Sequence, residues 1–287
     1  MNYESTLSDS FLFCVEKMKK SQEENMEELA EIIAEKKLYT VFQPIVSLRD
    51  GKVFGYEALS RISKPNTSLT ISALFVLAEK TGCVWELEKI CRKKALKRSK
   101  RKPAGVKLFI NVDGEVLQDK NFVEGFTGKK IKKYGLEAQD IVFEITERSD
   151  IENYKKLKAI IKHYKNQGYE IALDDVGAGY SGLNRIVNVS AEYMKLDHEL
   201  VRDIDKKQTK QLIVGYLQRY CEELGMEMVA EGIETEGELQ CLLRIGVTFG
   251  QGYFLGKPNE EFISTSREAK DVIDEYNEKK RCMEERQ

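Results

Sequence analysis

The chain has 287 residues, 41% hydrophobic and 33% charged, enough to bury a substantial core as one large α/β barrel or as two smaller domains. Its net charge of −2 excludes a general grip on long nucleic acid by counterion release, while leaving room for a small, highly charged ligand in a local site. No apolar run approaches the ~20 residues of a membrane span, the N-terminus lacks a secretory leader's apolar core, and six scattered cysteines (Cys14, Cys83, Cys91, Cys221, Cys241, Cys282) form no Cys-x-x-Cys pair, so we expect no membrane insertion and reduced thiols in the cytoplasm.

Residues 1–37 are polar and charged. Ser21 and Glu24 fit a capping box ahead of Met26, Leu29 and Ile33 at helical spacing, which predicts an N-terminal helical extension packed on the main domain. A dimer contact or the stump of a linker is the alternative use of that segment. Residues 38–260 change character, to short apolar runs alternating with amphipathic stretches. The runs are Tyr39–Val46, Val53–Leu59, Val106–Val112, Ile141–Ile145, Glu170–Asp174, Tyr193–Leu196, Glu227–Ala230 and Phe249–Phe254. Helical stretches at Ile71–Lys80, Trp85–Lys97, Tyr154–Gln167, Thr209–Leu224 and Glu236–Ile245 fall between many of them. This alternation predicts a TIM-like (β/α)8 barrel. The first two runs are joined only by Arg49-Asp50-Gly51-Lys52, too short for a parallel crossover, so one strand should run antiparallel. The remaining residues, 261–287, read as a charged helical tail.

Polar residues sit at or near the ends of these runs: Glu57, Asn111, Glu144, Asp174-Asp175, Lys195, Glu231 and Gln251. In such barrels the C-terminal strand ends share one face, and a reversed first strand brings Gln43 to the same mouth. Five carboxylates gathered there repel one another unless cations intervene, and oxygen donors favour hard divalent ions, Mg²⁺ or Mn²⁺. Zinc is not expected, since His163 and His198 stand alone. Adjacent Asp174-Asp175 suits one carboxylate bridging two ions while its neighbour holds the second, an arrangement made for in-line attack on a phosphodiester. Lys195, the sole cation of the group, would hold the attacking water or help deprotonate it. Taken singly, Glu57 or Glu144 reads as readily as a strand-end ion-pair partner, Lys195 as a surface lysine, and Asp174-Asp175 before Gly177-Ala178-Gly179 as turn chemistry. The basic run through Arg92-Lys93-Lys94 and on to Lys102 reads as the solvated face of an outer helix.

Tyr56-Glu57-Ala58-Leu59-Ser60-Arg61 resembles the signature of the EAL domains, the bacterial cyclic di-GMP phosphodiesterases of second-messenger signalling. It comes with Gln43-Pro44-Ile45-Val46, Asn111, Glu144-Ile145-Thr146-Glu147, Asp174-Asp175-Val176-Gly177-Ala178-Gly179-Tyr180-Ser181, Met194-Lys195-Leu196-Asp197, Ala230-Glu231-Gly232-Ile233-Glu234 and Gln251-Gly252-Tyr253, in the family's order and spacing from about Leu38 to Pro258. The resemblance implies hydrolysis of cyclic di-GMP to linear pGpG with two Mg²⁺ or Mn²⁺ ions, and inhibition by Ca²⁺. It implies that Glu57, Asn111, Glu144 and Asp174 hold one ion, that Asp174 and Asp175 hold the second, and that Glu231 lies beside both. Lys195 would act on the water and Glu147 would anchor the loop that positions Asp175. Gln43, Glu57, Leu59, Arg61, Asp197 and Gln251 would line the substrate site, Arg61 through a phosphate. A homodimer is implied as well. Val176, Ala178, Gly182, Val112-Asp113-Gly114 and His198-Glu199 depart from the family's usual residues, none of them a proposed ligand; they bear on rate and on dimer contacts. The alternative is a catalytically silent EAL domain that serves as a cyclic di-GMP receptor or docking module. No GGDEF motif is present, so synthesis is not expected.

Overall fold

The structure, a computed structural model, describes residues 23–114, 116–146, 154–177 and 189–285. Eight strands close into a barrel in sequence order: β1 Leu38–Ser47, β2 Val53–Ile62, β3 Lys107–Asp113, β4 Ile141–Thr146, β5 Glu170–Val176, β6 Tyr193–Leu196, β7 Glu227–Ala230 and β8 Phe249–Gly250. Strand β1 is antiparallel to both neighbours, β2 and β8, and the other pairs are parallel. The cause is the short link anticipated from sequence. Gly51 takes φ +67°, which closes the Asp-Gly turn, and its N–H donates to Ser47 O at 2.9 Å. The eighth strand is shorter than the run Phe249–Phe254 suggested. Beyond Gln251 the chain turns back on itself, Leu255 and Gly256 both donating to Gly252 O, so Tyr253 faces solvent.

One side chain from nearly every strand fills the barrel: Ile45, Phe109, Val142, Ala172, Tyr193, Val229 and Phe249 form a closed apolar cluster, with Phe54 packed against it. On β2 the position that matches this layer is Gly55, which leaves the room that the Phe109 ring occupies; a Cβ there would lie 2.7 Å from that ring, and the strand's Phe54 packs on the cluster from beside it. Side chains on a strand return to the same face every second residue. Two positions along from this layer lie Gln43, Glu57, Asn111, Glu144, Asp174, Lys195, Glu231 and Gln251, so the plug sets the floor of the mouth.

Outside the barrel, helix 23–35 buries Leu29 and Ile32 against Leu38, Leu74, Leu87 and Ile90. Met26, placed in that seam by its spacing, is 48% exposed, and Ile33 is only partly buried; Ser21 lies outside the described residues. Helix Arg267–Glu284 buries Ala269 and Ile273 beneath the β1–β2 hairpin, where Asn277 Nδ2 donates to Arg49 O at 3.0 Å. The basic run on helix Val84–Arg98 is not uniformly solvated. Arg92 is buried, ion-paired with Glu88 one turn away, and donates to Thr127 Oγ1 at 3.0 Å and Tyr164 OH at 3.1 Å. Its guanidinium also lies over the rings of Trp85, Phe143 and Tyr164. The arginine's long stem and planar head join three outer helices in a way that register alone did not signal.

Removing one partner of a buried ion pair leaves the other charge uncompensated. Arg92→Ala should therefore lower unfolding free energy by ~3–5 kcal/mol in urea denaturation, whereas Lys93→Ala, on the exposed side of the same helix, should change it by less than ~0.5 kcal/mol.

Candidate active site

The mouth of the barrel is organised around one buried ammonium. Lys195, on β6, is 1% exposed, and its Nζ lies 2.6 Å from Glu144 Oε1, 3.2 Å from Asp174 Oδ1 and 3.7 Å from Glu57 Oε2, with Glu231 also in ion-pair contact. These residues come from β6, β4, β5, β2 and the residue after β7, and converge only because the barrel closes. Burial alone would lower the lysine's pKa, but Asp174, Glu144, Glu231 and Glu57 together raise it well above its ordinary value.

The carboxylates do not share equally in that charge. Burial pushes the Glu57 carboxyl up, but Lys195 and the amides of Gln251 and Asn111 outweigh it and hold it low. Gln251 Nε2 donates to Glu57 Oε2 at 2.7 Å and Asn111 Nδ2 to Glu57 Oε1 at 2.9 Å. Gln251 reaches Gln43 Oε1 as well, and Gln43, opposite Glu57 in the antiparallel ladder, donates to Gly256 O. Glu144 is fully enclosed. Burial, then the Glu57 charge, raises its pKa well above the carboxylate range despite Lys195, and its Oε2 is buried without a hydrogen-bond donor. Burial raises Glu231 too, and burial with the Asp174 charge raises Asp175.

Asp174 and Asp175 present a local problem, since neighbours on a regular strand face opposite ways. The chain resolves it with a register break between Leu173 and Val176 and with Asp175 in the left-handed region, φ +56°. Aspartate tolerates that region better than most side chains, at a cost of about 1–3 kcal/mol. One ligand atom from each of Asp174, Asp175 and Glu231 then lies within 4.8 Å of the others.

The donor set fits a hard divalent cation. Five carboxylates surround one lysine, all available atoms are oxygens, and Glu144 Oε2 faces no donor. The remaining sequence candidates fall around this centre. Leu59 and Arg61 line a cavity of about 260 Å³ shared with Glu57, Asn111 and Asp113, and Arg61 Nη1 donates to Ser60 O at 3.0 Å. Asp197 caps helix His198–Val201 by accepting from Glu199 N at 2.8 Å, and its charge helps raise Asp175. Glu147 lies outside the described residues. Glu88, which sequence reasoning passed over, also lines that cavity; its only sequence signal was a glutamate one helical turn before Arg92.

A family model for the EAL domain matches residues 26–258, beginning inside helix 23–35. Among curated proteins, the chain is 29% identical over 229 residues to the probable cyclic di-GMP phosphodiesterase PdeG of Escherichia coli, covering 76% of this chain and 44% of that one. It is 30% identical over 254 residues to the cyclic di-GMP phosphodiesterase PdeF of the same organism, covering 86% and 33%. The chain thus spans less than half the length of these relatives. Among solved structures it resembles a standalone versatile EAL protein from Vibrio cholerae O395 in its c-di-GMP-bound form, with TM-score 0.70, 30% identity and coverage of 81% and 97%. A calcium and cyclic di-GMP complex of BlrP1 from Klebsiella pneumoniae gives TM-score 0.71, 29% identity and coverage of 80% and 58%.

Gly252 holds Gln251 in place by packing against the backbone of Ile233, where an added Cβ would lie 2.1 Å from the carbonyl oxygen. Gly252→Ala must displace one backbone or the other. It should destabilise the fold by about 1–3 kcal/mol and loosen the Gln251–Glu57 contact, read as a lower urea midpoint and weaker Mn²⁺ binding by calorimetry.

Proposed function

We propose that this chain, which belongs to the EAL domain family, hydrolyses one phosphodiester bond of cyclic di-GMP and releases linear pGpG. The observation that carries the reading is the buried Lys195 ammonium among Glu57, Glu144, Asp174 and Glu231, with Asp175 beside them, at the mouth of the barrel. A receptor needs ligand contacts only. It has no use for five carboxylates held together at the cost of their mutual repulsion, which argues against the silent alternative. Relatives called cyclic di-GMP phosphodiesterases, and similar structures holding that nucleotide, support the substrate.

In this reading Glu57, Asn111, Glu144 and Asp174 hold one divalent ion, and Asp174 and Asp175, with Glu231 alongside, hold the other. Mg²⁺ or Mn²⁺, when bound, supplies charge neutralisation at the phosphoryl group and a more acidic water. Asn111 already turns its amide nitrogen to Glu57, leaving its carbonyl oxygen for an ion. Lys195 holds the attacking water by its ammonium. Arg61 grips a phosphate oxygen with its guanidinium fork, and Gln43, Leu59, Asp197 and Gln251 shape the surrounding pocket. Water adds to phosphorus, the bond to the ribose 3′ oxygen breaks, and that oxygen takes up a proton. Glu147 anchors the loop after β5 and so keeps Asp175 in place. The natural setting is the cytoplasm, consistent with the free thiols of Cys83, Cys91, Cys221, Cys241 and Cys282. Residues 1–37 and 261–287 act as extensions flanking a barrel over 38–260.

With Mg²⁺ or Mn²⁺, purified protein should convert cyclic di-GMP to pGpG, and excess EDTA or Ca²⁺ should stop it. Lys195→Ala should bind cyclic di-GMP within about tenfold of wild type yet turn it over ~10²–10⁴-fold more slowly, whereas Arg61→Ala should weaken binding itself. Wild type that binds but turns over with no divalent ion would hand the case to the receptor.

The homodimer belongs to this proposal as well. Leu212, Ile213 and Tyr216 stand 54%, 48% and 71% exposed on helix Gln208–Leu224, a cluster of large apolar groups that a monomer would leave wet. Sedimentation should report a dimer for wild type, and Tyr216→Glu should shift it to monomer with the fold intact.

A further inference from the structure

Behind β1, on the side of the barrel wall away from the acids, a pocket of about 690 Å³ lies between the start of that strand, the end of helix Val84–Arg98 and the segment around Glu260. Five basic side chains border it: Lys94, Lys97, Arg98, Lys100 and Arg101. Two carboxylates, Glu260 and Glu261, share the lining, and one is already committed, because Arg98 Nη1 pairs with Glu260 Oε2 at 2.8 Å. Lys94 donates to Leu38 O at 2.5 Å. Among the described residues, no ion pair engages Lys97, Lys100 or Arg101.

A solvated basic face normally spreads its charges over a convex surface. Here five of them border a concavity, where burial first, and then the charges of Lys97, Lys36 and Lys93, lower the pKa of Lys94. Some of that charge complements the helix C-terminus, but favourable dipole contacts reach only the last turn, which holds Lys97 and Arg98. A second observation is independent of charge. Thr40, on the pocket lining, is 1% exposed, and its Oγ1 is buried with no hydrogen-bond partner. Buried hydroxyls normally have partners. The rest of the wall, Leu38, Tyr39 and Phe262, is apolar or aromatic.

We propose that this pocket is a second binding site, separate from the acid-lined mouth, for a nucleoside polyphosphate: the phosphate chain meets the free cations and the ring lies against the Tyr39–Phe262 side. The proposal does not depend on the hydrolytic reading, and its test needs no turnover. Calorimetric titration of the full chain in EDTA, with ATP, tripolyphosphate and adenosine as probes, keeps the unneutralised acids of the mouth from competing for phosphate.

ATP should bind saturably with submillimolar affinity. Lys97→Glu/Lys100→Glu, two exposed positions whose reversal leaves the fold undisturbed, should weaken it by about tenfold or more, because charge-assisted contacts are replaced by repulsion. Asp174→Asn, in the mouth, should leave ATP binding unchanged. Absence of saturable binding, or binding lost in Asp174→Asn but kept in the double reversal, would overturn the site. Adenosine binding as tightly as ATP would refute phosphate recognition, and tripolyphosphate matching ATP would refute recognition of the nucleoside.

Discussion

The site depends on the balance between one buried ammonium and the carboxylates that surround it. Lys195 touches four acids while almost fully withdrawn from water, and a fifth, Asp175, stands beside them. One positive charge cannot neutralise that group. Burial and neighbouring charge raise the pKa values of Glu144 and Glu231, and two amides clasp Glu57. Metal-free, the mouth is a poor place for charge, and a divalent cation is the partner that its donors fit. Replacing the centre with apolar groups of the same volume would stabilise many proteins. Its retention here marks binding chemistry rather than a gain in stability.

A two-residue offset puts those groups together. Each strand first contributes to the apolar plug and then, two positions further along, presents a polar side chain: Phe109 then Asn111, Val142 then Glu144, Ala172 then Asp174, Tyr193 then Lys195, Val229 then Glu231, Phe249 then Gln251. Strand β1 runs the other way, so its plug residue Ile45 follows Gln43 instead of preceding it. That regularity made the barrel and most of the mouth legible in sequence, because an apolar run ending in a charge is visible without any structure. The Asp-Gly link likewise gave the reversed strand, since chain length forbids the alternative.

Other features depend on where elements meet, and a linear pattern does not record that. Arg92 sat in a run of lysines and looked like its neighbours, yet the helix turns it inward onto Trp85, Phe143 and Tyr164. Helix Phe126–Tyr134 escaped notice because four of its nine residues are lysines and only Thr127 and Ile131 are buried. Asp175's left-handed backbone was hidden for another reason. The Asp-Asp pair was read for its ligands, and two adjacent ligands on one strand already require a break in register. Beyond Gly250, β-propensity suggested that the strand continued, but close packing of Gly252 on Ile233 ends it.

The reversal of β1 has a consequence beyond topology. Parallel strands in such a barrel send their C-terminal ends to the mouth, but β1 brings its beginning there, so one strand borders two environments within four residues. Thr40 pairs with Ser60 at the edge of the basic pocket, and Gln43 pairs with Glu57 among the acids. The segment after β8 is held to both. Gly256 O accepts from Gln43, Asn259 bridges to Phe42, and Glu260 meets Arg98. A displacement of β1 along its length would therefore move the amide clasp on Glu57 and the floor of the basic pocket together. A strand is stiff to such motion when both neighbours are hydrogen-bonded along it, but β1 meets β8 through only two residue pairs, Val46 with Gly250 and Ser47 with Phe249. The two shortest seams of the barrel thus flank β8, and one of them runs beside the strand that its two polar sites share.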